Sequence, residues 1–138
     1  MSSASRKVGG VGGAALALIT LTSCASLSPD AAAASDVVSR FSAAVVAGDG
    51  EAACDLLTEP AQRSVAVQSG TGCASGIVSL GLDLDDPPGD PEAYGTSAFV
   101  PLGDGAAFLT AAEDGWLVRA IGCVPQGEAP FLCVVDGS

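Results

Sequence analysis

Asp83-Leu84-Asp85-Asp86-Pro87-Pro88-Gly89-Asp90-Pro91 decides how this chain is built. Its prolines fix φ and remove backbone donors, so the stretch continues neither a helix nor a central strand. It divides a helical half from a strand half. Upstream, Ser28-Pro29-Asp30 reads as a helix start with a cap, a proline in the first turn and an early acid. Val37, Val38, Phe41, Ala44 and Val45 then recur at helical spacing as far as Gly48, with Asp49-Gly50 as the break. Asp49 is placed to cap a second, short helix carrying Ala52, Ala53, Leu56 and Leu57, and Thr58-Glu59-Pro60 opens a third that runs to Ala66. A fourth helical piece, Cys73 to Leu80, is weakened by Gly76.

Downstream the pattern changes to that of an antiparallel meander. Gly95 to Leu102 and Ala106 to Ala112 flank Gly103-Asp104-Gly105, a hairpin turn because Asp-Gly tolerates positive φ. Asp114-Gly115 makes the next turn, Trp116 to Val124 the third strand and Phe131 to Val135 the fourth. Strict alternation on the third strand puts Trp116, Val118 and Ala120 on one face and Leu117, Arg119, Ile121 and Cys123 on the other. Both faces are substantially apolar, so the sheet needs cover, which the amphipathic helices supply. The expected class is α+β, with N-terminal helices packed on a four-stranded antiparallel sheet.

The N-terminus carries an address. Arg6 and Lys7 precede an apolar stretch, Val8 to Thr22, which at about 15 residues is shorter than the roughly 20 needed to span a bilayer. The run Leu21-Thr22-Ser23-Cys24 that closes it resembles the lipobox of bacterial lipoproteins. The resemblance implies cleavage before Cys24, a diacylglyceryl group on its thiol, and residence on the outer face of the bacterial cell membrane. Two or three acyl chains give durable attachment where one gives only a marginal hold. The expected layout is a signal peptide over residues 1–23, a lipidated tether over 24–30 and one domain over 31–138.

Charge and composition exclude several functions. The formal net charge is −11, and all 16 acidic residues follow Cys24, where only Arg40, Arg63 and Arg119 oppose them. Nucleic acid is not an expected partner, because three scattered arginines form no phosphate-neutralising patch. Anionic headgroups would repel the folded body, so the acyl anchor supplies the membrane contact. The chain has no His, which removes Ser-His-Asp and Cys-His catalysis and the commonest metal ligand.

Beyond Cys24 stand Cys54, Cys73, Cys123 and Cys133. An even count in an exported chain reads as two disulfides, with three connectivities open. Cys54 with Cys73 and Cys123 with Cys133 is the expected pairing, since it staples neighbouring helices and adjacent strands. No C-x-x-C pair is present to suggest a zinc site or a thioredoxin-like redox role.

Two segments carry a further likeness: Phe41 to Leu57, around Gly48-Asp49-Gly50 and Cys54, and Gly115 to Pro125, around Trp116, Gly122 and Cys123, followed by Cys133. Together they resemble small bacterial lipoproteins with a nuclear-transport-factor-two-like, or cystatin-like, cone fold. The resemblance covers most of residues 36–136 and implies a curved sheet wrapped by helices with the same cysteine pairing. It implies no activity, because such a fold hosts enzymes, carriers and inert scaffolds alike.

Enzymes on such a fold place a carboxylate base and a Tyr in an apolar cone. The single tyrosine, Tyr94, is read here as a rim or core aromatic, and Asp104 and Asp114 as turn residues. Asp83, Asp85, Asp86, Asp90 and Glu92 could supply oxygen ligands to calcium, but Pro87 and Pro88 break the EF-hand pattern, so a solvated acidic loop is expected. Arg119 is expected to pair with a neighbouring acid, and Trp116 to fill the core. The resulting expectation is a lipid-anchored envelope protein whose non-catalytic domain binds an envelope protein or a small ligand, without cofactor or metal. The competing reading is a small-ligand carrier or isomerase-like enzyme that uses the cone cavity. A cavity with an inward-facing acid and Tyr94 favours the second; a cone filled by Phe41, Phe99, Phe108, Leu109 and Trp116 favours the first.

Overall fold

The computed structural model describes residues 9–10 and 29–138; Cys24 and nearly all of the expected signal peptide lie outside the described residues. Four helices, α1 (Ala31–Val46), α2 (Gly50–Asp55), α3 (Glu59–Ser69) and α4 (Cys73–Ser79), precede five strands. These are β1 (Glu92–Tyr94), β2 (Ser97–Leu102), β3 (Gly105–Ala112), β4 (Gly115–Gln126) and β5 (Ala129–Asp136), all antiparallel in sequential order. The class is α+β with two disulfides, Cys54–Cys73 and Cys123–Cys133, paired as expected.

Caps set the helix starts. Asp30 Oδ1 accepts from the Ala32 amide at 3.1 Å, so the acid is the cap of α1 and Pro29 stands before the helix instead of inside its first turn. Asp49 Oδ1 and Thr58 Oγ1 accept from the amides of Ala52 and Ala61, as their positions foretold. The third helix runs on to Ser69, past the expected end, because the left-handed residue that stops it is Gly70.

Helix α1 buries Ala34, Val37, Val38 and Phe41 against one face of the sheet. That face contributes Ala98, Val100 and Leu102 from β2, Ala107 and Leu109 from β3, Trp116, Val118 and Ile121 from β4, and Val135 from β5. The link between α2 and α3 docks directly on β4: the Thr58 amide donates to Val118 O and the Val118 amide to Leu56 O.

Strand β4 departs from strict alternation. Leu109 opposes Val118, but Phe108 opposes Ala120 and Ala106 opposes Cys123, so β4 carries extra residues at two places. Such bulges bend the strand and re-aim its side chains. Ile121 therefore joins Trp116 and Val118 in the helix-covered core, while Ala120 and Cys123 turn to the opposite face. Phe99 and Phe108 also lie there, where they meet Phe131 with ring centroids 5.3–6.3 Å apart. The aromatic set expected to fill one core is split between two.

A fifth strand precedes the expected four, as β1 pairs with β2 through the Gly95-Thr96 turn. In the next hairpin the turn is Gly103-Asp104, with positive φ on Gly103 (53°), and Gly105 already belongs to β3. The Asp-Gly pair does not carry the positive φ, because a two-residue turn of this kind asks for Gly at its first central position. The Pro-rich stretch is not free in solvent: Pro88 bridges Leu102, the Gly89 amide donates to Pro101 O, Ser35 Oγ donates to Gly89 O, and Leu84 is buried.

Candidate functional site: an acidic groove

Apolar packing occupies the core side of the sheet. Phe41, Leu109 and Trp116 fill it, and Thr58 is the one polar residue buried among the described residues. Tyr94 is 67% exposed on β1 and donates to Glu92 Oε2 at 2.6 Å. That hydrogen bond, with the nearby Glu92 charge, raises the Tyr94 pKa above its usual value. The sheet thus brings Tyr94 to its outer edge, away from any inward-facing acid. Trp116 is a core residue as expected, and its Nε1 donates to Asp30 O at 2.9 Å.

Among the described residues no three carboxylate, Cys or His side chains gather as metal ligands, and Asp83, Asp85, Asp86, Asp90 and Glu92 are exposed. Arg119 lies near Asp136, whose pKa is lowered first by hydrogen bonds from Ser138 and only then by the arginine. Arg63 pairs with Glu59 on α3.

The best-formed concavity is a groove of about 340 Å³ at the end of the sheet where β2 turns into β3. Residues 81–86 form one wall, Asp104 to Ala106 another, and Gly122 to Val124 with Val134 the floor. Two glycines shape it. A Cβ at Gly122 (φ +66) would press on Leu82 Cδ2 and the Val134 side chain at 3.0–3.1 Å, so the bulge closes the floor only with glycine there. At Gly103 a Cβ would fall 2.1 Å from Asp86 Oδ2, which means that the Asp86 carboxylate lies directly over the turn that carries Asp104. Leu82, Leu102, Ala106, Val124 and Val134 make an apolar lining, and Asp83, Asp86 and Asp104 supply its charge, with no Arg or Lys among the described lining residues.

A second, more open hollow of about 540 Å³ lies at the opposite end, between α1 and the β3–β4 turn, where Arg40 accompanies Asp36 and Asp114. Sequence reading treated Asp104 as a turn residue and Asp86 as part of a solvated loop, and nothing local signals that the two meet. The isolated Gly122 within a strand is the one hint, since such a glycine marks a bulge or a close approach. No helix among the described residues is long and apolar enough to cross a membrane. Compared with protein-family models, curated proteins and solved structures, the chain matches none.

Proposed function

We propose that this chain is a lipid-anchored protein of the outer face of the bacterial cell membrane, whose cone-type domain is a non-catalytic binding module. The anchor reading rests on Leu21-Thr22-Ser23-Cys24 after a basic, then apolar, start. The binding reading rests on one observation: the helix-covered interior is packed with apolar side chains and receives no acid and no tyrosine, while the open groove, which borders that interior at Leu102, carries Asp83, Asp86 and Asp104. Proton-transfer chemistry needs a titratable group held in the apolar cavity, and Tyr94 with Glu92 sits at the exposed edge instead. The likeness to the nuclear-transport-factor-two-like lipoproteins is part of this reading.

The anchor is tested by intact-mass spectrometry of material from the native host, which should find residue 24 as the acylated N-terminus. Cys24→Ala should shift the chain from the membrane fraction to the precursor or soluble fraction. A mature chain starting elsewhere, or one without fatty-acyl mass, overturns the anchor. The binding role is tested by cross-linking in intact envelopes followed by recovery of the lipidated chain. A discrete partner is expected, and recovery of the chain alone counts against a binding role.

A further inference from the structure

The groove's charge and its apolar lining together specify an occupant. We infer that it binds an extended polypeptide segment in which arginine or lysine alternates with apolar side chains, a proposal that rests on the binding-module reading and names its partner class. Asp83, Asp86 and Asp104 come from two separate stretches and border one groove, with no base among the described lining residues. The three arginines beyond Cys24 are placed elsewhere: Arg63 on Glu59, Arg119 by Asp136, and Arg40 in the opposite hollow. Carboxylates of one sign along a groove complement a cationic ligand and steer it in.

The lining extends past the groove. Val124 pairs in register with Leu132, and Val134 follows two residues along β5, with exposures of 52%, 68% and 40%. Large apolar side chains left open side by side on a strand mark a contact surface. A small amine seated among the carboxylates would leave that strip wet. A peptide in extended conformation places alternate side chains on one face with a period of two, so its cations reach the acids while its apolar residues cover the strip.

The test uses the lipidated full chain in neutral-detergent micelles and fluorescence anisotropy. The probes are a labelled hexapeptide of alternating arginine and valine, its counterpart of alternating glutamate and valine, and phenethylamine as a competing small cation. The arginine peptide should bind and the glutamate peptide should not. Asp86→Asn combined with Asp104→Asn, near-isosteric changes at the surface, should weaken the arginine peptide about tenfold, with an unchanged circular dichroism spectrum. Val124→Ser should weaken the peptide and leave phenethylamine unaffected. No binding of the arginine peptide, equal binding of both peptides, or indifference to the paired Asn changes overturns the proposal. Phenethylamine binding as tightly as the peptide, and unmoved by Val124→Ser, overturns it in favour of a small cation. If the peptide fails while envelope cross-linking still recovers a partner, only this inference falls; if cross-linking also recovers nothing, the binding role falls with it.

Discussion

Gly50 is the position at which one added methyl group should do most damage. It is buried at the first turn of α2, and an ideal Cβ there would lie 1.8 Å from the carbonyl oxygen of Ala74, 2.6 Å from its carbon and 2.9 Å from its Cα. Those are backbone atoms of α4, so no side chain can swing aside. To restore ordinary contact the helices must part by roughly 1 Å or more, yet Cys54 on α2 is tied to Cys73 on α4 close by. Overpacking of this kind costs about 1–3 kcal/mol, whereas the reduced entropy of the unfolded chain returns about 0.4–1 kcal/mol when Gly becomes Ala. The overpacking dominates, and Gly50→Ala should destabilise by about 1.3 kcal/mol. For a domain of this size that lowers Tm by about 5 °C. Thermal and urea unfolding with the disulfides intact, followed by circular dichroism, measures it. The same substitution in a Cys54→Ala, Cys73→Ala background should cost less, because the freed helices can part; a coupling of about 0.5 kcal/mol or more is expected. A loss under about 0.5 kcal/mol for Gly50→Ala alone, or strict additivity with loss of the disulfide, would refute the close-approach argument.

Other outcomes follow from the same structure. Closing chain separations of 19 and 10 residues, the two disulfides should each contribute about 3 kcal/mol; peptide mapping that recovers Cys54 linked to Cys123 would contradict both bridges. Gly72 caps α4 without a side-chain bond and has open space around its Cα, so Gly72→Ser should stabilise the fold by a few tenths to about 1 kcal/mol, read as a rise in Tm. Trp116→Phe removes the bond to Asp30 O as well as core volume; a loss of about 1–3 kcal/mol and faster amide exchange at the start of α1 are expected. The Asp136 carboxyl is held below its usual value by Ser138, so the stabilisation from this contact is present above the unfolded-state pKa and lost as pH falls through the folded one. Carbon-detected titration of Ser138→Ala should show the Asp136 pKa rising, and an unchanged value would remove the Ser138 hydroxyl as its leading cause, since the backbone amide at 138 still donates.

The Cys123–Cys133 bridge was legible by local rules, because two strands of one hairpin set Cys123 directly opposite Cys133; Cys54–Cys73 instead closes α2 on α4 across the whole of α3, a contact that the even cysteine count and the helical reading of both segments only made plausible. The faces of β4 were not legible. Alternation assigns a face by counting, and each extra residue in a bulge reverses the count for everything beyond it. Ile121 and Ala120 accordingly changed places. Phe99 and Phe108 face away from the helices by plain alternation, since their strand neighbours Ala98, Val100, Ala107 and Leu109 take the core side. β1 was hidden because three residues beside Pro91 give too short a pattern to stand out from a Pro-rich loop. The groove was illegible for a different reason: Leu82, Asp86, Asp104, Gly122 and Val134 come together only through the packing of distant segments. Their local signals concern turns and loops, not a common site.

The two ends of the sheet suit different tasks. The bond from Trp116 to Asp30 O pins the start of α1 beside the β3–β4 turn. Asp104 and Gly105 stand at the far end of the eight-residue β3, about 24 Å away along the strand. A Debye length is about 8 Å at physiological ionic strength. If acyl chains on Cys24 hold the Trp116 end near the bilayer, the carboxylates of Asp83, Asp86 and Asp104 lie well beyond the screening distance of anionic headgroups. The acidic groove then costs the anchored state little repulsion and opens on the side from which a basic polypeptide would arrive. Reversing the geometry would set those carboxylates against the membrane and hide the strip of Val124, Leu132 and Val134, so the position of Trp116 and the chemistry of the groove support the same orientation.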